Sequence, residues 1–255
     1  MVVLQTPAGS SVPSAPRLLH LVTGGIPPTD HRSKILARRR PSIVTRKPTT
    51  SLASIWQTSI QHLKAVDPHL GRAITACGSI QLEIQRRRSP FEYLLRSIIF
   101  QQLSGKAAGT IHGRFLELFP MKRPTPERVL RLKPDKFRSS GVSGGKERAI
   151  RDLARHARDG LVPGFSILEK MGDDEIIDTI TPIHGIGRWT VQMLLIFQLG
   201  RPDVLPVDDL GVRKGFAMMR GKKLLPTPKQ LTRAAKKWQP YRTVGSWYCW
   251  RATEL

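Results

Sequence analysis

Apolar residues recur along most of this chain at spacings of three and four, the period of a helix with one buried face. After residue 50 they fall first at Leu52, Ile55, Ile60 and Leu63, and a second helix is predicted over residues 68–78. Ser89-Pro-Phe-Glu92 reads as a helix start, with Ser at the cap, Pro at the first helical position and Glu three residues after the cap. Leu94, Leu95, Ile98 and Ile99 give that helix its apolar face. The pattern breaks at Gln101-Gln-Leu-Ser-Gly105 and resumes over 106–119, with Ile111, Phe115 and Leu118 inward. Further helices are predicted over 125–132, 134–139, 145–159, 165–170, 173–181, 188–199, 208–219, 227–238 and 243–250. Period-two alternation nowhere extends beyond a few residues, so the fold class is all-α. A small sheet stays open only for the N-terminal tail, which offers poor material for one.

Residues 1–50 are rich in Pro, Ser, Thr and Arg and carry no sustained period. They are expected to be a disordered basic tail ahead of a helical domain over 51–255. A solvated or DNA-binding arm suits this composition better than an organelle transit peptide. The 255 residues suffice for a real core. Charge changes the picture more: 42 Lys and Arg face 19 Asp and Glu, a formal net charge of +23. Seven of these charges lie in residues 1–50 and sixteen in residues 51–255, so the helical part is basic in its own right. Such an excess repels itself in the compact state and points to a polyanionic partner, nucleic acid first and an anionic membrane surface second. No apolar run approaches a membrane span. Cys77 and Cys249 are isolated, which excludes a zinc knuckle or an iron–sulfur cluster and fits a reducing compartment.

The chemistry concentrates in Thr181-Pro-Ile-His-Gly-Ile-Gly-Arg-Trp-Thr190 and Pro206-Val-Asp-Asp-Leu-Gly-Val212. The first reads as a glycine-bearing hairpin between two helices, over about 173–199. Gly185 and Gly187 allow close backbone approach, and the N–H groups there and at Arg188 and Thr190 can hold a phosphate at a helix start. Thr190 adds a hydroxyl. By itself the pattern also fits an ordinary helix–turn–helix corner. The second segment delivers a carboxylate twenty positions after Trp189. Gly144-Gly-Lys146 looks like the end of a P-loop, but Glu147 stands where Ser or Thr is needed; Lys146 is expected at a solvated helix start.

These residues resemble the helix–hairpin–helix DNA glycosylase superfamily, nearest to its 3-methyladenine DNA glycosylase II branch. The resemblance extends to Pro90–Ala108 and Tyr241–Trp250 and covers roughly residues 55–252. It implies two helical subdomains flanking a DNA-binding cleft. It also implies hydrolysis of the N-glycosidic bond of alkylated purines of the 3-methyladenine and 7-methylguanine type, in duplex DNA, after base flipping. The long form of the family carries an extra N-terminal mixed domain, which this chain is expected to lack. The family pattern makes Asp209 the catalytic carboxylate, with Asp208 as helix cap or orienter. Bifunctional relatives carry a lysine at position 189; Trp189 has no nucleophile, so no lyase step is expected.

The resemblance further implies a DNA wedge at Gln101, Gln102 and Leu103, with Leu103 as the plug. The competing reading is a helix corner with Leu103 in the core. Ser104 and Lys106 are expected on phosphates. Trp250, Trp189, Trp247 and Met193 are expected to line a pocket for cationic bases. A monovalent cation, Na+ or K+, would sit on the backbone carbonyls of Thr181, Ile183 and Ile186, and no other cofactor is implied. The expected partner is damaged double-stranded DNA, bound by a monomer, in the cytoplasm or nucleoid of a bacterium or the nucleus of a eukaryote. Two other functions stay open, a non-catalytic damage binder on the same hairpin and a glycosylase for another lesion.

Overall fold

The computed structural model describes residues 52–255, and the expected disorder of the tail lies outside them. Every regular element among the described residues is helical. Helices α1 (Leu52–Val66) and α2 (Pro68–Cys77) meet at Asp67, which caps α2 by accepting from the His69 and Leu70 amides at 3.2 and 3.3 Å. Asp67 is fully buried, and burial pushes its carboxyl up. The Trp238 indole N–H at 2.9 Å and the Arg220 guanidinium more than offset this and hold it below the usual range. One buried carboxylate thus ties the first two helices to the C-terminal third of the chain.

Helix α3 (Pro90–Phe100) begins with the capping box that Ser89 and Glu92 predict, and Leu94, Leu95, Ile98 and Ile99 are all fully buried. The chain continues through α4 (Gly105–Leu116), α5 (Pro126–Arg131), α6 (Pro134–Ser140), α7 (Gly144–Arg158), α8 (Phe165–Leu168) and α9 (Asp173–Ile180). The predicted 188–199 helix is α10 (Arg188–Leu194) running into a π-helical turn over Leu195–Leu199. Then come α11 (Leu210–Met218), α12 (Pro228–Ala234), which tightens into a 3-10 turn at Ala235–Trp238, and α13 (Arg242–Ala252).

These helices pair in two sets. In one, α1, α2 and α11 pack on α13; in the other, α3 packs on α4, α7 and α10, with α7 also on α5 and α6. The tightest crossing is α11 on α13. A Cβ on Gly215 would lie 1.7 Å from the Cys249 carbonyl oxygen, so only glycine lets these backbones meet. That crossing brings the start of α11 against the last turns of α13. Among the described residues, no helix is long and apolar enough to cross a membrane.

Candidate active site

Asp209 lies where the two sets of helices meet. It is the N-cap of α11, its Oδ1 accepting from the Val212 amide at 2.8 Å. Two indoles complete its shell: Trp250 Nε1 donates to Oδ1 at 2.9 Å and Trp189 Nε1 to Oδ2 at 2.7 Å. Three N–H donors from α10, α11 and α13 therefore fix both carboxylate oxygens, at a helix end whose dipole favours negative charge. The sequence made Asp208 the helix cap or an orienter, and the structure gives the cap to Asp209. The Asp209 amide closes a turn onto the Pro206 carbonyl at 3.1 Å, and this places Asp209 itself at the cap and leaves Asp208 exposed.

The tryptophans differ in setting. Trp189 is 39 % exposed in the first turn of α10. Trp250 is half-buried on α13 and stacks on Phe197, ring centres 5.8 Å apart and planes 21° from parallel. A Cβ on Gly211 would lie 2.8 Å from Trp250 Cδ1 and 3.1 Å from Asp209 Oδ1, so a bare backbone is what admits the indole to the carboxylate. Trp247 sets its ring edge-on against Tyr248 at 4.9 Å. Met193, expected in the pocket, is 5 % exposed and belongs to the core, because the face of α10 it occupies is turned inward.

The hairpin between α9 and α10 is pinned by Ile183 and Ile186, 1 % and 3 % exposed. Gly185 turns left-handed at φ 80° and lies so close to α7 that a Cβ would meet the Ala149 Cβ at 2.8 Å. Gly187 has an ordinary φ of −94°, and a Cβ there would meet nothing within 4 Å. Its backbone is open on the side where α10 begins, and no side chain caps that helix. Arg188 is exposed beside it, 3.5 Å from Asp174. Thr190, expected to add a hydroxyl at the hairpin, is the third residue of α10 and only 4 % exposed.

Between α3 and α4, Gln102 is exposed and left-handed at φ 56°. Leu103 beside it is half-buried and outside the core cluster, which disfavours the buried-corner reading. Gln101 turns inward and donates Nε2 to the Gly185 carbonyl at 2.9 Å. Ser104 caps α4 through Ala107, and Lys106 is exposed on its first turn. Lys146 is not solvated as expected. Its ammonium donates to the Ile99 and Gln101 carbonyls at 2.6 and 2.9 Å, and burial pushes its pKa down. Sequence reasoning misplaced Lys146 and missed both Asp152, which accepts from the His184 amide at 2.8 Å, and Gly211. The first two act on backbone groups, which leave no side-chain signature, and the third acts by lacking a side chain.

Residues 95–240 match the family model described as the HhH-GPD superfamily base excision DNA repair protein. The DNA-3-methyladenine glycosylase 1 of Schizosaccharomyces pombe is 34% identical over 196 residues, 76% of this chain and 86% of that protein. The solved 3-methyladenine DNA glycosylase of the same yeast, in complex with abasic DNA, superposes with a TM-score of 0.71 at 33% identity, covering 78% of this chain and 97% of that one. A DNA-3-methyladenine glycosidase from Bacillus halodurans gives 0.70 at 36% identity, covering 76% and 88%.

Proposed function

Since this chain belongs to the HhH-GPD superfamily of base excision DNA repair proteins, we propose that it is a monofunctional DNA glycosylase releasing alkylated purines from duplex DNA by hydrolysis. The observation that carries the reading is the Asp209 carboxylate, fixed by Val212, Trp189 and Trp250 where α10, α11 and α13 meet.

The flipped nucleotide enters beside Trp189 and Trp250, whose electron-rich faces attract a cationic purine. As the C1′–N bond breaks, its electron pair leaves with the base, which departs neutral if it was cationic. Positive charge grows on the deoxyribose, and the Asp209 carboxylate stabilises it. Water then bonds C1′ and gives up its proton through Asp209 to solvent, leaving an abasic hemiacetal. Trp189 offers no amine to form an imine with C1′, so the abasic strand stays intact. Hairpin amides near Gly187 and Arg188, with Ser104 and Lys106, hold phosphates, and Leu103 fills the vacated stack.

The carbonyls of Thr181, Ile183 and Ile186 would hold the monovalent cation. Hard oxygen donors suit it, and the Ile183 carbonyl keeps a free lone pair beside its 3.0 Å bond from the Ile186 amide. A bound cation would stiffen the hairpin. The reading is tested with single-lesion duplexes carrying 3-methyladenine, 7-methylguanine, hypoxanthine or ethenoadenine. Release of at least one methylated purine, with no strand cleavage and no borohydride-trapped adduct, is expected; binding without release would favour a non-catalytic damage binder.

A further inference from the structure

Lys146, Ala149 and Asp152 stand three residues apart on α7 and so share one helix face. Each meets a loop that the proposed function places on DNA. Lys146 Nζ grips the Ile99 and Gln101 carbonyls, at 2.6 and 2.9 Å, where α3 ends and the wedge loop begins. Ala149 fills the space beside the left-handed turn of Gly185. Asp152 Oδ2 accepts from the His184 amide at 2.8 Å and so holds the hairpin tip. The two loops also touch each other, through Gln101 Nε2 on the Gly185 carbonyl at 2.9 Å. These contacts close a circuit from α7 to the wedge loop, across to the hairpin and back to α7.

We propose that this face of α7 is a bracket that sets the wedge residue Leu103 at a fixed distance from the phosphate-holding hairpin, with Lys146 as a positioning residue for base flipping. The proposal rests on the glycosylase reading. Flipping needs the backbone held and the stack filled at once, so the spacing of the two loops decides whether a paired base can leave. Gln102 follows Gln101 in a left-handed conformation at φ 56°, which is uncommon for a non-glycine residue. Lys146 holds the carbonyl of the residue before it, and the Ser104 cap fixes the start of α4 two residues after it. An ammonium suits this place, since it carries several donors and sits at the negative end of the α3 dipole. Among the described residues no carboxylate pairs with Lys146, so its charge is spent on the two carbonyls.

The test compares single-turnover release of 7-methylguanine from two duplexes, one with the lesion opposite cytosine and one with it opposite an abasic analogue. A base without a partner asks little of the wedge. Lys146→Met is expected to slow release from the paired duplex by about tenfold or more. On the unpaired duplex it should stay within about twofold of wild type, and Lys146→Arg should restore most of the paired rate. Should Lys146→Met not fold, Asp152→Ala, which cuts the link from α7 to the His184 amide, is expected to show the same selective loss. Equal slowing on both duplexes would mean a purely structural role, and unchanged rates no role; either overturns the bracket. No release by the wild type from either duplex would instead contradict the glycosylase reading, and this proposal with it.

Discussion

A carboxylate beside a sugar is useful only if it cannot turn away. Asp209 meets that demand with three N–H donors from three helices, and Gly211 makes the arrangement possible by leaving room for the Trp250 indole. Gly211→Ala is therefore expected to push Trp250 off the carboxylate. Base release should fall by about 10- to 100-fold, while melting temperature drops only a few degrees. Gly109→Ala on α4, where a Cβ meets nothing within 4 Å, should leave the rate unchanged. Single-turnover assays and thermal melts on both variants decide this. At this scale the resemblance to the family singled out Asp209, Trp189 and Trp250, and the fold brings the three side chains together. The sequence could not rank two neighbouring acids as cap, since the turn onto Pro206 decides that. It also could not tell that Thr190 is almost fully buried, because hairpin spacing does not fix the helical phase.

Helices were the most legible level. Capping residues and apolar spacing placed the start of α3 at Ser89 and its buried face at Leu94, Leu95, Ile98 and Ile99. The π-helical end of α10 was not legible, because it arises from packing rather than from local preference. Helix α4 carries a second consequence. His112 is 9 % exposed, its ring edge-on to Phe100 at 6.0 Å. Burial first, and then Arg96 and Arg88, push its pKa down to about 4 from the ordinary 6.5. Between those values the unfolded chain binds the proton and the folded chain does not, so stability falls as pH drops from 6.5 towards 4. Below 4 this contribution is gone. His112→Gln should flatten that limb, losing about 5 °C less than wild type between pH 7 and pH 4 in thermal melts. Parallel curves for the two proteins would contradict it.

Net charge was fully legible and needs the whole molecule to interpret it. Sixteen of the net positive charges lie in residues 51–255, far more than the residues proposed above to hold phosphates. The rest provide attraction that positions nothing and is sensitive to salt. Binding to a duplex with an abasic analogue is therefore expected to weaken steeply with ionic strength, log K against log salt having a slope of about −4 or steeper. A slope near zero would remove the electrostatic role. What stayed hidden from the sequence at this scale is the linkage of parts. Lys146, Gln101 and Asp152 join the wedge loop, hairpin and α7 through backbone atoms, which no residue pattern reports.

The most direct measurement is the single-turnover rate of 7-methylguanine release from a duplex by Asp209→Asn beside wild type, with affinity for an abasic-analogue duplex recorded in parallel. Asparagine keeps the size and removes the charge that we propose faces C1′. The expected result is a rate lower by about a thousandfold or more, with affinity within a few-fold of wild type. A variant that still releases the base within about tenfold of the wild-type rate would contradict the claim that this carboxylate drives the chemistry.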